Sequence, residues 1–262
     1  MTISPSFSEF TYGFAFTHEL VVRHNKRITA PPLLPSLKQE GRSGGFDVAL
    51  KFSRARALFL QFKLPELVGH PRGGQWSHFG RPYYRFWIAA PKRRRQHGLL
   101  LRLEKRGRVY YAAPEFHTSV EFSQRFESSS VEYGSALFRP RDMGHIADGR
   151  DHCVAYTMGT AFGYFCSEPA RMRNWGGGRL TQAIEGIAAD SALPVVTPDT
   201  LDAFVAALLD DALSDLSEAE AQEQKPALIR DDPLERFGLV CRLYYGVEPF
   251  LVRVETNGQA EV

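Results

Sequence analysis

Residues 44–64 read GGFDVALKFSRARALFLQFKL, and the reading of this stretch decides the fold. Phe46, Val48, Leu50 and Phe52 alternate with Asp47, Ala49 and Lys51; Leu58, Leu60, Phe62 and Leu64 alternate with Phe59, Gln61 and Lys63. A period of two is the mark of a strand, because successive side chains point to opposite faces. Gly44-Gly45 allows a sharp turn into the first strand, and residues 53–57 form the expected turn into the second. If the two strands pair, parity puts Asp47, Gln61 and Lys63 on one face of the sheet. That face is either the wet side of an amphipathic hairpin or an active site.

Bulk properties bound the choice. The chain has 262 residues, 44% hydrophobic and 24% charged, which suits one large domain or a core with an appended subdomain. No apolar run approaches the ~18–20 residues needed to span a bilayer, and MTISPSFSEF lacks a charged segment followed by an apolar one. No membrane is expected, and a cytoplasmic location is. Cys153, Cys166 and Cys241 are far apart with no CxxC, so neither a disulfide framework nor a zinc ribbon is expected. The net charge of +2 conceals an asymmetry. Lys92 to Arg95, Arg102, Lys105, Arg106 and Arg108 form a basic cluster holding a single acid, Glu104, whereas Asp199 to Glu235 is acidic apart from Lys225 and Arg230. A basic patch attracts a polyanion.

Outward from the hairpin, Ser8 to His24 reads as a helix. Ser8 is a candidate N-cap, Glu9 stands in the first turn, and Phe10, Phe14, Leu20 and Val21 offer an apolar face. Ala30-Pro31-Pro32 stops it. Pro65 to Pro82 reads as loop, Tyr83 to Ala89 as a strand, and Gln96 to Lys105 as a basic helix with Leu99, Leu100 and Leu103 inside and Gly107 as its C-cap. Residues 109–113 form a strand stopped by Pro114. Further strands are expected at 135–138, 152–156 and 249–254, and helices from about Asp199 to Leu213 and from Asp232-Pro233. The fold class is therefore α/β with a central mixed sheet flanked by helices. A core over 1–130 and an α-rich C-terminal extension with acidic helices over 131–262 are expected.

The face carrying Asp47, Gln61 and Lys63 has the groups that phosphodiester hydrolysis needs. Oxygen donors hold a divalent cation near the scissile phosphate, and a lysine stands near the attacking water or the developing charge. Residues two apart on one strand project from the same face, ~6–7 Å apart. The carbonyl of Phe62 offers a main-chain ligand.

Gly44-Gly45-Phe46-Asp47 followed by Gln61-Phe62-Lys63 resembles the signature of the PD-(D/E)xK, or restriction-endonuclease-like, nuclease superfamily, most of all its Mrr-type variant with Gln-x-Lys. The resemblance covers about residues 8–115 and implies a restriction-endonuclease-like core. It implies Asp47 and Gln61 as ligands of Mg²⁺ or Mn²⁺ with Phe62 in support, and Lys63 as the catalytic lysine. A further carboxylate would come from the first helix, with Glu9 the better match, Glu19 the alternative and Glu40 a third. It also implies nucleic-acid contacts from Arg93, Arg94, Arg95, Gln96 and Arg102. The substrate implied is DNA, with RNA as the alternative polymer, in bacterial defence, with a homo-oligomer or a defence-system protein as partner. A nuclease-fold module that binds nucleic acid or protein without cleaving is the rival expectation.

Other chemistries have less support. His145, His152, Cys153 and Cys166 fit no zinc spacing, there is no GxSxG and no GxxxxGK[ST], and Tyr110 and Tyr111 are expected in the core.

Overall fold

The computed structural model describes residues 2–30, 52–72, 74–89, 94–146, 150–166, 170–217 and 232–255. The strands are β1 (Thr2–Ile3), β2 (Ile28–Ala30), β3 (Ala55–Phe62), β4 (Glu66–Val68), β5 (Tyr83–Ala89), β6 (Gly107–Pro114), β7 (Ser135–Phe138), β8 (His152–Tyr156), β9 (Phe162–Phe165), β10 (Ala170–Arg173) and β11 (Glu248–Arg253). The helices are α1 (Glu9–Arg23), α2 (Trp76–Phe79), α3 (Arg94–Leu103), α4 (Ser119–Glu127), α5 (Leu180–Ala189), α6 (Leu201–Leu213) and α7 (Pro233–Val240). The class is α/β, with antiparallel and mixed sheets flanked by helices. Two compact units interleave along the chain. The first comprises Met1–His24, Leu60–Leu101 and Val109–Ala183, and the second Asn25–Phe59, Arg102–Arg108 and Ile184–Val262.

In the first unit, α1 begins where its cap chemistry says it should: the Ser8 side chain accepts the Thr11 N–H at 3.0 Å. Its buried face is a correction to the expected one. Tyr12, Ala15, Phe16 and Leu20 are inside, while Phe10 and Phe14 are 73% and 57% exposed. Two aromatic pairs stand at helical spacing, and the Tyr12–Phe16 pair wins because the buried Tyr12 hydroxyl donates to Ser135 Oγ at 2.9 Å. Six strands form an antiparallel sheet in the order β1-β4-β5-β8-β9-β10. Tyr84, Phe86, Val154, Tyr156, Phe165 and Met172 line its buried face. The rings of Phe86 and Tyr111 lie 5.8 Å apart there, and those of Phe138 and Tyr156 5.5 Å.

β3 runs parallel to β6. The Lys63 N–H donates to the Ala112 carbonyl at 2.9 Å, and at the other end Gly107 lies against the Ala57 carbonyl, so numbers rise together. The chain between them passes through β4, α2, β5 and α3, and β7 then pairs antiparallel with β6. Leu99, Leu100 and Leu103 are buried as expected. Gly107 is not the C-cap of α3. It opens β6, where an added Cβ would come within 2.5 Å of the Ala57 carbonyl oxygen. β3 starts earlier than expected, at Ala55, and residues 55–61 are all buried. Alternation was thus a sound guide to its being a strand but not to its having one wet face, because both faces are covered. The expected partner strand up to Lys51 and the Gly44-Gly45 turn lie outside the described residues.

In the second unit, β11 pairs antiparallel with β2 and neighbours β3. The buried guanidinium of Arg56 donates to the carbonyls of Leu193, at 3.3 Å, and Ala188, satisfying a charge that burial would otherwise penalise. Thr197 caps a turn of 3-10 helix, Pro198–Thr200, that leads into α6. Asp232 caps α7 through the N–H groups of Leu234 and Glu235, with Pro233 at the first helical position. The ring of Phe237 lies 6.1 Å from that of Phe59 and 6.0 Å from that of Phe204, and the Tyr245 hydroxyl donates to the Leu208 carbonyl at 2.7 Å.

Candidate functional site

Phe62, between Gln61 and Lys63, fixes the orientation of the predicted site. Its ring centroid lies 5.6 Å from those of Tyr12 and Phe16 in edge-on geometry. Gly13 lets α1 come this close, since a Cβ there would stand 2.8 Å from the Phe62 ring. α1 therefore packs on the Phe62 face of β3. By the alternation of the strand, Gln61 projects from the opposite face, and Lys63 shares its parity just past the strand end. Gln61 is 3% exposed, and Lys63 is half-buried.

The other predicted members are distributed as follows. Glu9 is exposed at the first position of α1, the helix on the far side of β3 from Gln61. Glu19 is buried, and its carboxylate accepts the backbone N–H groups of Val131 at 3.0 Å and Glu132 at 2.9 Å. That is a structural clamp on the segment between α4 and β7. Asp47, Glu40 and Arg93 lie outside the described residues. Arg94 opens α3, Arg95 is exposed and Gln96 half-buried. Among the described residues no group of three or more His, Cys, Asp or Glu side chains is arranged to hold a metal ion, and no helix is long and apolar enough to cross a membrane.

Arg102 is paired within the second unit, to which it belongs. Its guanidinium makes a two-pronged ion pair with Asp215, at 2.9 and 2.6 Å. Arg106 pairs with Asp211 at 2.8 Å and Arg108 with Asp190. The C-terminal half of the basic cluster is thus neutralised by carboxylates of the acidic segment and the loop after α5. A phosphate would have to displace a bidentate carboxylate from Arg102.

Three buried polar groups of the first unit carry perturbed chemistry that the spacing of residues did not announce. His97 is 2% exposed, with Nδ1 2.8 Å from the Tyr111 hydroxyl and Nε2 2.8 Å from the Gly144 carbonyl. Burial pushes its pKa down, against the bond to Gly144. Glu115 is 3% exposed; one carboxylate oxygen accepts the Gly159 N–H at 2.9 Å, and among the described residues the other accepts no hydrogen bond. Burial pushes it up, opposed by Gly159, Arg125, Arg179 and Asn174. Cys153 and Cys166 face each other across β8 and β9, where the Cys166 N–H donates to the Cys153 carbonyl at 3.0 Å. Both thiols are free, and the hydrogen bond between them pulls the pKa of Cys153 down and pushes that of Cys166 up. Continuing the register from Val154↔Phe165 reveals this pair, but only once both strands are known.

The chain matches no family model, no curated protein and no solved structure. What the fold and site define is an α/β protein with an amide and an ammonium of like parity at the end of a doubly buried strand.

Proposed function

We propose that the chain is a divalent-metal-dependent nuclease with a restriction-endonuclease-like core, hydrolysing phosphodiester bonds of DNA in the first instance. The observation that carries this reading is the Gln61–Lys63 pair. β3 is apolar from Ala57 to Leu60, and its exposure rises only after Gln61, so the strand delivers an amide oxygen and an ammonium from one face where it emerges from the core. Among the described residues the oxygens offered to a cation there are neutral, the Gln61 side-chain oxygen and the Phe62 carbonyl. A hard divalent ion takes charged oxygen, so the fit of Mg²⁺ or Mn²⁺ rests on Asp47 as the anionic member. When bound, the ion supplies Lewis-acid polarisation of the phosphate. Gln61 orients, and Lys63 donates to a phosphate oxygen as charge develops on it.

A second reading, a nucleic-acid-binding module without catalysis, is favoured by Glu9, which stands on the helix packed against the other face. Supercoiled plasmid and a matched RNA, each incubated with Mg²⁺, Mn²⁺ or EDTA, separate the two. Metal-dependent cleavage is expected, reduced roughly 10²-fold or more by Asp47→Ala or Lys63→Ala. Cleavage that survives both substitutions refutes the assignment of residues. Intact polymer in both metals, with binding retained, establishes the second reading.

A further inference from the structure

The face of the six-stranded sheet turned away from the core has a composition of its own. Its middle is covered by α2, where His78 stacks on Tyr164 with centroids 4.7 Å apart. On the flank built by β9 and β10, Ala170, Arg171 and Arg173 are exposed. Arg171 pairs across the strands with Tyr164, and Arg173 with Phe162. Both arginines are exposed, and β10 is the edge strand of the sheet. The Arg171 guanidinium lies 3.7 Å from the centre of the Phe162 ring, and that of Arg173 3.8 Å from the centre of Trp175. Among the described residues neither arginine is paired with a carboxylate; Arg173 reaches only the Gln182 side-chain oxygen, at 3.4 Å.

We infer that this flank binds single-stranded nucleic acid. A guanidinium seated over an aromatic ring at this distance has one side against the ring and the other side available to a planar base, while its N–H groups remain available to phosphate oxygens. Two such groups two residues apart on one strand stand ~6.6 Å apart, a repeat suited to successive nucleotides of an extended strand. Aromatic and arginine planes on an open sheet face select unstacked bases, which a duplex does not offer. An anionic polymer without bases would use the charges and leave the planes idle. The inference deepens the nucleic-acid reading above. It uses a surface separate from Gln61 and Lys63, and its test excludes metal, so failure of binding and failure of cleavage are told apart.

The test is fluorescence anisotropy of 15-nucleotide oligo(dT), oligo(rU) and an abasic oligonucleotide of equal length, in EDTA, across a salt series with the full chain. Wild type is expected to bind both base-bearing strands more tightly than the abasic one, and the two arms reveal whether the sugar matters. Arg171→Ala with Arg173→Ala is expected to weaken binding roughly 10-fold at low salt. Loss of two phosphate contacts should also reduce the slope of log affinity against log salt by about 1.4. Arg171→Lys with Arg173→Lys keeps the charge and loses the planes. It should retain the salt slope and lose affinity, which also covers the case in which the alanine pair fails to fold. Equal affinity for the abasic strand, no binding of either oligonucleotide by wild type, or lysine and folded alanine variants that bind like wild type would each overturn the proposal.

Discussion

Replacing Glu19 by alanine separates a structural role for this helix carboxylate from a metal-binding one. The side chain is 5% exposed, and its two oxygens receive the N–H groups of Val131 and Glu132, themselves 0% and 2% exposed as residues. Truncation leaves two backbone donors unpaired where water does not reach. A buried unsatisfied donor costs about 1–3 kcal/mol, so the pair amounts to about 2–6 kcal/mol. At ~2–4 °C per kcal/mol for a protein of this size, the middle of that range lowers Tm by about 8–16 °C. Glu19→Gln recovers at most one acceptor, since its NH₂ faces the other N–H, and should fall between. Thermal unfolding followed by far-UV circular dichroism, with urea titration for the free-energy difference, measures both. A Glu19→Ala variant within about 2 °C of wild type refutes the clamp. If Glu19→Gln instead leaves Tm unchanged and removes cleavage, the carboxylate is a ligand.

Two further outcomes follow from buried groups. His97 is held neutral in the fold, accepting from Tyr111 at Nδ1 and donating to Gly144 from Nε2, with its pKa below the usual value of about 6.5. As pH falls below ~6.5 the unfolded chain takes up a proton that the folded one refuses, so stability declines from there towards the folded pKa, at up to ~1.4 kcal/mol per pH unit. Urea midpoints at several pH values from 7.5 down to 5 should show a smaller decline in His97→Gln, and equal slopes would count against the assignment. Cys153 and Cys166 occupy a hydrogen-bonded cross-strand position, where Cα atoms stand ~5.5 Å apart, within disulfide range. Diamide should oxidise both thiols to one intramolecular disulfide, itself taking up the two hydrogens, while Cys241, 0% exposed, stays reduced. A covalent dimer, or three titratable thiols after treatment of the native protein, would exclude this.

Local chemistry is what the sequence displays most directly. Ser8 and Asp232 cap helices where expected because capping is settled within three residues. Tyr110 and Tyr111 are buried in a strand ending at Pro114, as anticipated. The capping box of Thr118 and Glu121 was equally legible as Thr-x-x-Glu and marks α4, which the strand-and-loop pattern around it obscured. Which face of an element is inside is a tertiary matter. Phe10 and Phe14 have the same spacing as Tyr12 and Phe16, and only the hydroxyl of Ser135 and the ring of Phe62 decide between them. The parity of Gln61 and Lys63 was readable from the strand. That α1 would pack on the other parity, with Glu9 upon it, depended on Gly13 and Phe62 meeting, and no spacing rule encodes that.

Charge shows the same limit from the other side. The run from Lys92 to Arg108 is the most basic part of the chain, yet Arg102, Arg106 and Arg108 meet carboxylates 113, 105 and 82 residues away. Each pair, partly exposed, is worth on the order of 0–1 kcal/mol in stability, but each removes a cation from the field that a polyanion would feel. Arg171 and Arg173 belong to no basic run. They stand out because Phe162 of β9 and Trp175 just after β10 supply aromatic partners, and because among the described residues neither is paired with a carboxylate. How much charge a run of arginines presents is therefore set by pairing across the fold: Arg102, Arg106 and Arg108 are already matched by carboxylates, whereas Arg171 and Arg173 on the edge strand are not, among the described residues.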